Sequence, residues 1–471
     1  MKTLNRQNVS DLPQRPIKII QFGEGNFLRG FVDWIIETMN DKANFNADVQ
    51  LVQPIAQGLG EMINKQDGLY HVQLSGIQSG EAREETKLIT CVRGVINPYE
   101  NYSAYLQLAE NPDLRFIISN TTEAGISYNP EDDNKDQLAQ SFPGKLTALL
   151  FKRFEVFGAD NSKGLHIIPC ELIDKNGEKL KEIILQYASL WKLPEAFILW
   201  INEANTFSNT LVDRIVPGFP RENIKEIQEN IGYEDNLVVK AEPFHLWVIE
   251  GPDAVKAEFP AEEAGLDVKF VKDQSPYRTR KVRILNGAHT SLVPVAYLHG
   301  LRTVRESVED PIIGPFLNET IQGEIIPTLD LPKEELEQFA NDVMDRFKNP
   351  FVKHQLSSIA LNSISKFKVR VLPSLLEYVD RKGQLPPNLV RSLAALIVFY
   401  KGSYNGEATP VQDDEEIINY FKAIWESDDL DHVAHEVLKN INFWDTDLTK
   451  VEGLQNAVAQ ELSQLVEKEK V

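Results

Sequence analysis

The sequence predicts an α/β domain with a doubly wound parallel sheet over residues 1–275, followed by a mostly α-helical domain over 276–471. Three observations lead there. Short β-branched runs alternate with amphipathic segments through about the first 250 residues, the pattern of successive βαβ units. From Pro276 onward strand signals thin out and long segments of helical period take over. A chain of 471 residues also exceeds what one hydrophobic core usually serves, so more than one domain is expected.

The first element is Ile17–Phe22, an apolar run ending at Gly23-Glu24-Gly25. Beyond the glycines, Leu28, Phe31, Val32, Ile35 and Met39 recur at mostly helical intervals, with Asn26 as candidate N-cap. Strand, glycine turn and helix open a βαβ unit. Glycines let a phosphate approach the backbone, and the helix start supplies free N–H groups and partial positive charge. A simple tight turn reads equally well from these residues alone. Buried strands follow at 49–52, 115–119 and 166–169, with a helix over 145–154 between the last two. Such a sheet places the residues after its strands in a ligand crevice, which makes Asn120-Thr121-Thr122-Glu123 a candidate cofactor loop, with ordinary turn capping as the competing role. The second strand ends Leu51-Val52-Gln53-Pro54, without the acid that usually accepts an adenosine ribose and without an Arg cluster for a 2′-phosphate.

In the second half, helices are expected over 334–346, 354–366, 388–400 and 415–425, with a polar loop over 401–414. Ahead of them lies Lys281-Val282-Arg283-Ile284-Leu285-Asn286-Gly287-Ala288-His289. On an α-helix Lys281, Asn286 and His289 fall within a wedge of roughly 140° and can face one cleft. A lysine can exchange the proton of an alcohol, while an amide and an imidazole stabilise the charge developing on its oxygen. A snorkelling Lys, a capping Asn and a satisfied core His would show the same spacing.

Composition narrows the partners. With 49 Lys and Arg against 70 Asp and Glu, a formal charge of −21 repels nucleic-acid phosphates and anionic lipid. Two cysteines make neither a disulfide framework nor a metal knuckle and fit a reducing, cytoplasmic setting. Met1–Arg15 lacks the apolar core of a signal peptide, and no apolar run approaches the roughly 18 residues of a membrane span.

Lys281-x4-Asn286-x2-His289 resembles the catalytic motif of the polyol-specific long-chain dehydrogenases, the mannitol dehydrogenase family. Gly23-Glu24-Gly25-Asn26-Phe27-Leu28-Arg29 is similar to that family's cofactor loop, Val212–Pro217 to its central signature, and Glu242-Pro243-Phe244 and Arg346–Pro350 to two further landmarks. The resemblance implies a Rossmann-type N-terminal domain, a helical C-terminal domain with the active site between them, NAD as cofactor and no metal. It casts Lys281 as general acid/base and Asn286 and His289 as carbonyl-polarising groups. It also places Phe22, Gly23, Gly25, Asn26, Phe27, Arg29, Asn120, Thr121 and Glu123 at the cofactor. Stretches 21–29, 119–126 and 169–174 look most like the branch acting on sugar acids. Here Cys170-Glu171-Leu172 stands where polyol enzymes carry Cys-Asp-Asn. A sugar-acid substrate requires a cation for its carboxylate, for which Lys368 and Arg370 are the candidates, a basic solvated helix face being the alternative.

Overall fold

Alternation of apolar residues along short strands decides the architecture of the first half. A computed structural model describes residues 1–122 and 125–469 of the chain. Six parallel strands, β1 (Ile17–Phe22), β2 (Asp48–Val52), β3 (Val92–Ile96), β4 (Phe116–Ser119), β5 (His166–Pro169) and β6 (Thr206–Phe207), form one sheet in the order β3-β2-β1-β4-β5-β6. Neighbouring residues on each strand point to opposite faces. Ile19, Val49, Phe116, Ile118 and Ile168 enter one core, while Ile20, Phe22, Ile117 and Ile167 enter the other. Both faces therefore need covering. Helices α1 (Asn26–Gly30) and α2 (Val32–Ala43) follow β1, α3 (Phe142–Phe157) follows the β4 loop, and α4 (Asn176–Leu190) follows β5. The direction of winding reverses between β1 and β4, so the crevice beyond their C-terminal ends is where such a sheet takes a ligand.

The helix expected from Asn26 to Met39 is broken at Phe31, whose φ of −123° leaves the helical region. The N-cap is Gly25 rather than Asn26, and no side chain caps the first turn. The sequence reading also did not foresee the hairpin of Tyr70–Gln78 and Glu81–Ile89. Most of its second strand is charged and exposed and carries no core-facing alternation.

The chain divides into two units, Met1–Ser75 with Arg83–Gln274, and Gly76–Ala82 with Ser275–Val471. The boundary expected at 275/276 does not anticipate that the turn of the hairpin groups with the second unit, where the Gly80 N–H donates to Asp345 at 3.0 Å.

The second unit is built around one apolar helix. After α5 (Ser275–Arg280) the backbone widens into a π-helical turn over Lys281–Asn286, then resumes as α6 (Gly287–Leu298). Ten of the twelve residues of α6 are buried, the composition of a helix enclosed on nearly all sides. Helices α8 (Ser363–Arg370) and α10 (Pro387–Phe399) pack on it, α7 (Lys333–Phe347) packs on the π-helical turn, α9 (Leu372–Lys382) on α8, and α11 (Leu454–Glu469) on α10. The Ser392 hydroxyl of α10 donates to the Ser291 carbonyl of α6 at 3.0 Å. The single helix expected over 354–366 is instead two, because Asn362 adopts the left-handed region (φ 53°) and donates its N–H to the Gln412 carbonyl at 2.8 Å. Within the polar loop 401–414, Ser403–Tyr404 pairs with Glu407–Ala408. Among the described residues no helix is long and apolar enough to cross a membrane.

Candidate active site

In the first unit the site begins at Gly23. Its φ is +118°, and a Cβ there would lie 2.9 Å from the Asn120 carbonyl oxygen. Only glycine satisfies both conditions, so the glycine turn and the β4 loop meet backbone to backbone. Gly23→Ala should therefore cost about 1–3 kcal/mol, read as a lowered midpoint in chemical denaturation. Asn120 is held by its N–H to the Phe22 carbonyl at 3.1 Å. Gly25 and Asn26 are exposed at the tip, where the uncapped start of α1 leaves N–H groups for a ligand. Phe27 is half-buried and stacks on Phe31 at 5.1 Å.

Two of the expected cofactor residues have other roles. The Phe22 ring is fully buried against Phe142 (4.9 Å) and Tyr105 (6.1 Å), leaving only backbone at the crevice. Arg29 is 2% exposed. Its guanidinium donates to the Glu24 carbonyl (3.0 Å), the Leu237 carbonyl (2.8 Å) and Asn26 Oδ1 (2.8 Å), and lies over the Tyr70 ring. A side chain so committed holds the glycine loop from beneath. Arg214 of the central signature acts alike, donating to the Gly30 carbonyl at 3.0 Å and the Glu242 carbonyl at 2.8 Å.

Thr121 is placed by a residue that sequence reasoning noticed but did not assign. Glu171, 1% exposed, accepts from the Thr121 N–H and hydroxyl, both at 3.0 Å, and from the Ser119 hydroxyl at 3.0 Å. Burial raises its pKa, and these donors oppose the rise. The signal was the Cys170-Glu171-Leu172 departure itself: an acid following a buried strand needs donors, and the neighbouring strand end supplies them. Glu123 lies outside the described residues. Gln53 cannot stand in for the missing ribose acid, since its amide accepts from Gly60 and donates to the Ile55 and Ala56 carbonyls. Beside the crevice a cavity of about 510 Å³ is lined by Pro54 and Ile55 after β2, Thr121 and Thr122 after β4, and Ser141 and Phe142 at the start of α3. A glycine cradle that a Cβ would fill, an uncapped helix start and an adjoining cavity fit a dinucleotide.

In the second unit, Lys281 opens the π-helical turn, Asn286 closes it, and His289 lies in the first turn of α6. The π geometry changes the expected spacing. Its hydrogen bonds join residues five apart, which draws Lys281 and Asn286 toward one face more closely than an α-helix would. Just before the turn, buried Arg280 pairs with Glu335 at 3.0 Å and lies over the Phe339 ring at 4.2 Å. At the other end, a Cβ on Gly287 would lie 2.9 Å from the Arg370 carbonyl, so α8 approaches α6 closely.

The His289 ring stacks on Phe347 at 4.1 Å and meets the edge of His354 at 5.1 Å. Burial, reinforced by His354, Arg346 and Arg370, holds its pKa well below the ordinary imidazole value, so the ring is neutral. Its Nε2 is buried with no hydrogen-bond partner among the described residues. Arg346–Pro350 thus supplies Phe347 and Arg346 to the imidazole. The two cations expected on α8 differ. Lys368 Nζ is paired with Asp445 at 3.1 Å, whereas the half-buried Arg370 guanidinium has no ion pair or side-chain hydrogen bond among the described residues.

The model of the mannitol dehydrogenase Rossmann domain matches residues 17–263, and that of the mannitol dehydrogenase C-terminal domain matches residues 273–466. The chain belongs to the mannitol dehydrogenase family. Within that family it is similar to the altronate oxidoreductase of Phocaeicola vulgatus (50% identity, covering 99% of this chain and 98% of that one). It is equally similar to that of Bacillus subtilis strain 168 (50%, covering 99% and 96%). Among solved structures it shares its fold with a D-sorbitol dehydrogenase (TM-score 0.81, 23% identity, 99% of both chains). It shares it also with Pseudomonas fluorescens mannitol 2-dehydrogenase, solved as a ternary complex with NAD and D-mannitol (TM-score 0.65, 20% identity, covering 99% and 97%). The α/β sheet and the helical second half are the family's two domains, as the sequence implied.

Proposed function

We propose that this protein, an oxidoreductase acting on CH–OH groups, catalyses the reversible NAD-dependent reduction of D-tagaturonate to D-altronate, a step of hexuronate breakdown in the cytoplasm. Residues 1–275 hold the dinucleotide through Gly23, Gly25, Asn26 and the Asn120–Thr121 loop, and residues 276–471 supply the chemistry. The observation that carries the sugar-acid reading is Arg370. A half-buried guanidinium without a counter-charge is costly, and a substrate carboxylate removes that cost while gaining a bidentate contact. The altronate oxidoreductases similar to this chain support the same substrate class.

When bound, NADH supplies the hydride. As negative charge grows on the carbonyl oxygen of the substrate, the Lys281 ammonium delivers the proton. The Asn286 amide donates to the same oxygen. His289, being neutral, acts as a hydrogen-bonding group through Nε2 and not as a competing acid. In the oxidative direction neutral Lys281 receives the proton of the alcohol. The test is oxidation of NADH by the purified protein with tagaturonate, fructuronate and fructose offered separately. Turnover restricted to tagaturonate is expected. Preference for fructose would overturn the carboxylate reading, and NADH binding without turnover on any of the three would overturn the enzyme reading.

A further inference from the structure

The second strand ends without the acid that usually meets an adenosine ribose, yet a carboxylate reaches the same place from another element. The glycine turn leaves β1 beside the last residue of β2, where the Gly23 N–H donates to the Val52 carbonyl at 3.1 Å. Glu24, the next residue, lays its side chain against the loop that follows β2. Its Oε1 accepts from the Leu59 N–H at 3.2 Å. A Cβ on Gly58 would collide with that oxygen and would lie 2.8 Å from Gln53 Cδ, so Glu24 and Gln53 meet at one glycine. The carboxylate is thereby fixed at the C-terminal end of β2, next to Pro54 and Ile55 of the adjoining cavity.

Glu24 is 7% exposed. Among the described residues, only the Leu59 N–H and its own N–H are placed to donate to it. From Gln53 to Gly60 the loop carries no Lys or Arg. Arg29, the cation that faces Glu24, is already committed to two carbonyls and to Asn26. Burial raises the pKa of the carboxyl, while the two N–H groups and Arg29 favour its ionised form.

In a doubly wound sheet the end of the second strand is where an acid accepts from the 2′-hydroxyl of the adenosine ribose. We propose that Glu24 accepts that hydrogen bond and by its negative charge turns away a 2′-phosphate, so that the glycine turn, and not β2, selects NADH over NADPH. The proposal rests on the reading that this turn takes the dinucleotide. A hydrogen bond to a carboxylate is of the stronger, charge-assisted kind. A phosphate set beside the same carboxylate meets like charge in a partly dehydrated place, and the loop offers no cation to offset it.

Holding the Leu59 N–H requires only an oxygen acceptor, whereas selecting the ribose requires the charge. Glu24→Gln separates the two, because it keeps the shape and the acceptor and removes the charge. The readout is fluorescence titration of the full chain with NADH, NADPH and 2′-deoxy-NADH. In the variant the Kd for NADH is expected to rise about tenfold, the loss of a hydrogen bond to a charged group. The Kd for 2′-deoxy-NADH should change by less than about threefold, since the partner of the lost charge is absent, and that for NADPH should fall. A loosened loop would weaken all three alike. Equal changes for the three, or an unchanged ratio of the NADPH and NADH constants, would overturn the proposal.

Gly25→Val tests the turn itself. Gly25 has a φ of −69° and open space around a Cβ, so a side chain enters there without strain, at the tip where the cofactor would approach. NADH binding is expected to weaken by about tenfold or more. Binding that Gly25→Val leaves unchanged would overturn the reading of the turn, and the role of Glu24 with it. Binding weakened by Gly25→Val but with the same NADPH-to-NADH ratio in Glu24→Gln as in the wild type would overturn the role of Glu24 alone.

Discussion

Lys281→Ala is expected to lower kcat by about 100- to 10,000-fold, the usual worth of a positioned proton donor, with the Kd for NADH unchanged. The two readouts separate because Lys281 opens the π-helical turn of the second unit, whereas the glycine cradle belongs to the first. Small primary amines added to Lys281→Ala should restore part of the rate, and the restored rate should follow the fraction of amine that is protonated in the reductive direction. Stopped-flow loss of NADH absorbance measures kcat, and fluorescence quenching measures binding. Turnover within threefold of wild type would exclude Lys281 as the acid.

Arg370→Ala is expected to raise the KM for tagaturonate by about 10- to 100-fold, the equivalent of the 1.5–3 kcal/mol of hydrogen bonds to a charged group. The KM for fructose, which has no carboxylate, should not rise with it. Melting of the substrate-free variant should not fall and is expected to rise slightly, because removal relieves a half-buried charge that has no ion-pair partner among the described residues. Lys368→Ala serves as the contrast. Its ammonium already pairs with Asp445, whose side chain is 76% exposed, so its loss should change KM less than threefold. Equal effects of the two substitutions would reduce both to the general basicity of α8.

Much of this was legible in the sequence because the signals are local. Ile17–Phe22 with its glycines, and the apolar runs at 49–52, 116–119 and 166–169, carry their strand identity in side chains that alternate between two cores. The helix pattern over 388–400 reappears almost unchanged as α10. What the sequence hid depends on distant partners or on backbone exceptions. Arg29 reads as a free cation until Leu237, far along the chain, is seen to accept from it. Glu171 reads as an odd substitution until Ser119 and Thr121 are seen to donate to it. The break at Asn362 needs a left-handed φ that no periodicity reports. Lys368 and Arg370 are indistinguishable by composition, and only the place of Asp445 separates them.

The π-helical turn also constrains how this family can vary. A π turn is equivalent to one residue too many in an α-helix. Loss of one residue between Lys281 and Asn286 would let the backbone relax to ordinary α geometry with its flanks in nearly the same phase, because the π turn fits its extra residue into the angle an α turn sweeps with one residue fewer. Holding all six residues in α geometry would instead turn Lys281 to about 140° from Asn286. This stretch should therefore accept a single deletion between the two residues better than a single insertion, which neither geometry absorbs. That asymmetry would be plain in a library of single-codon deletions and insertions scored for turnover.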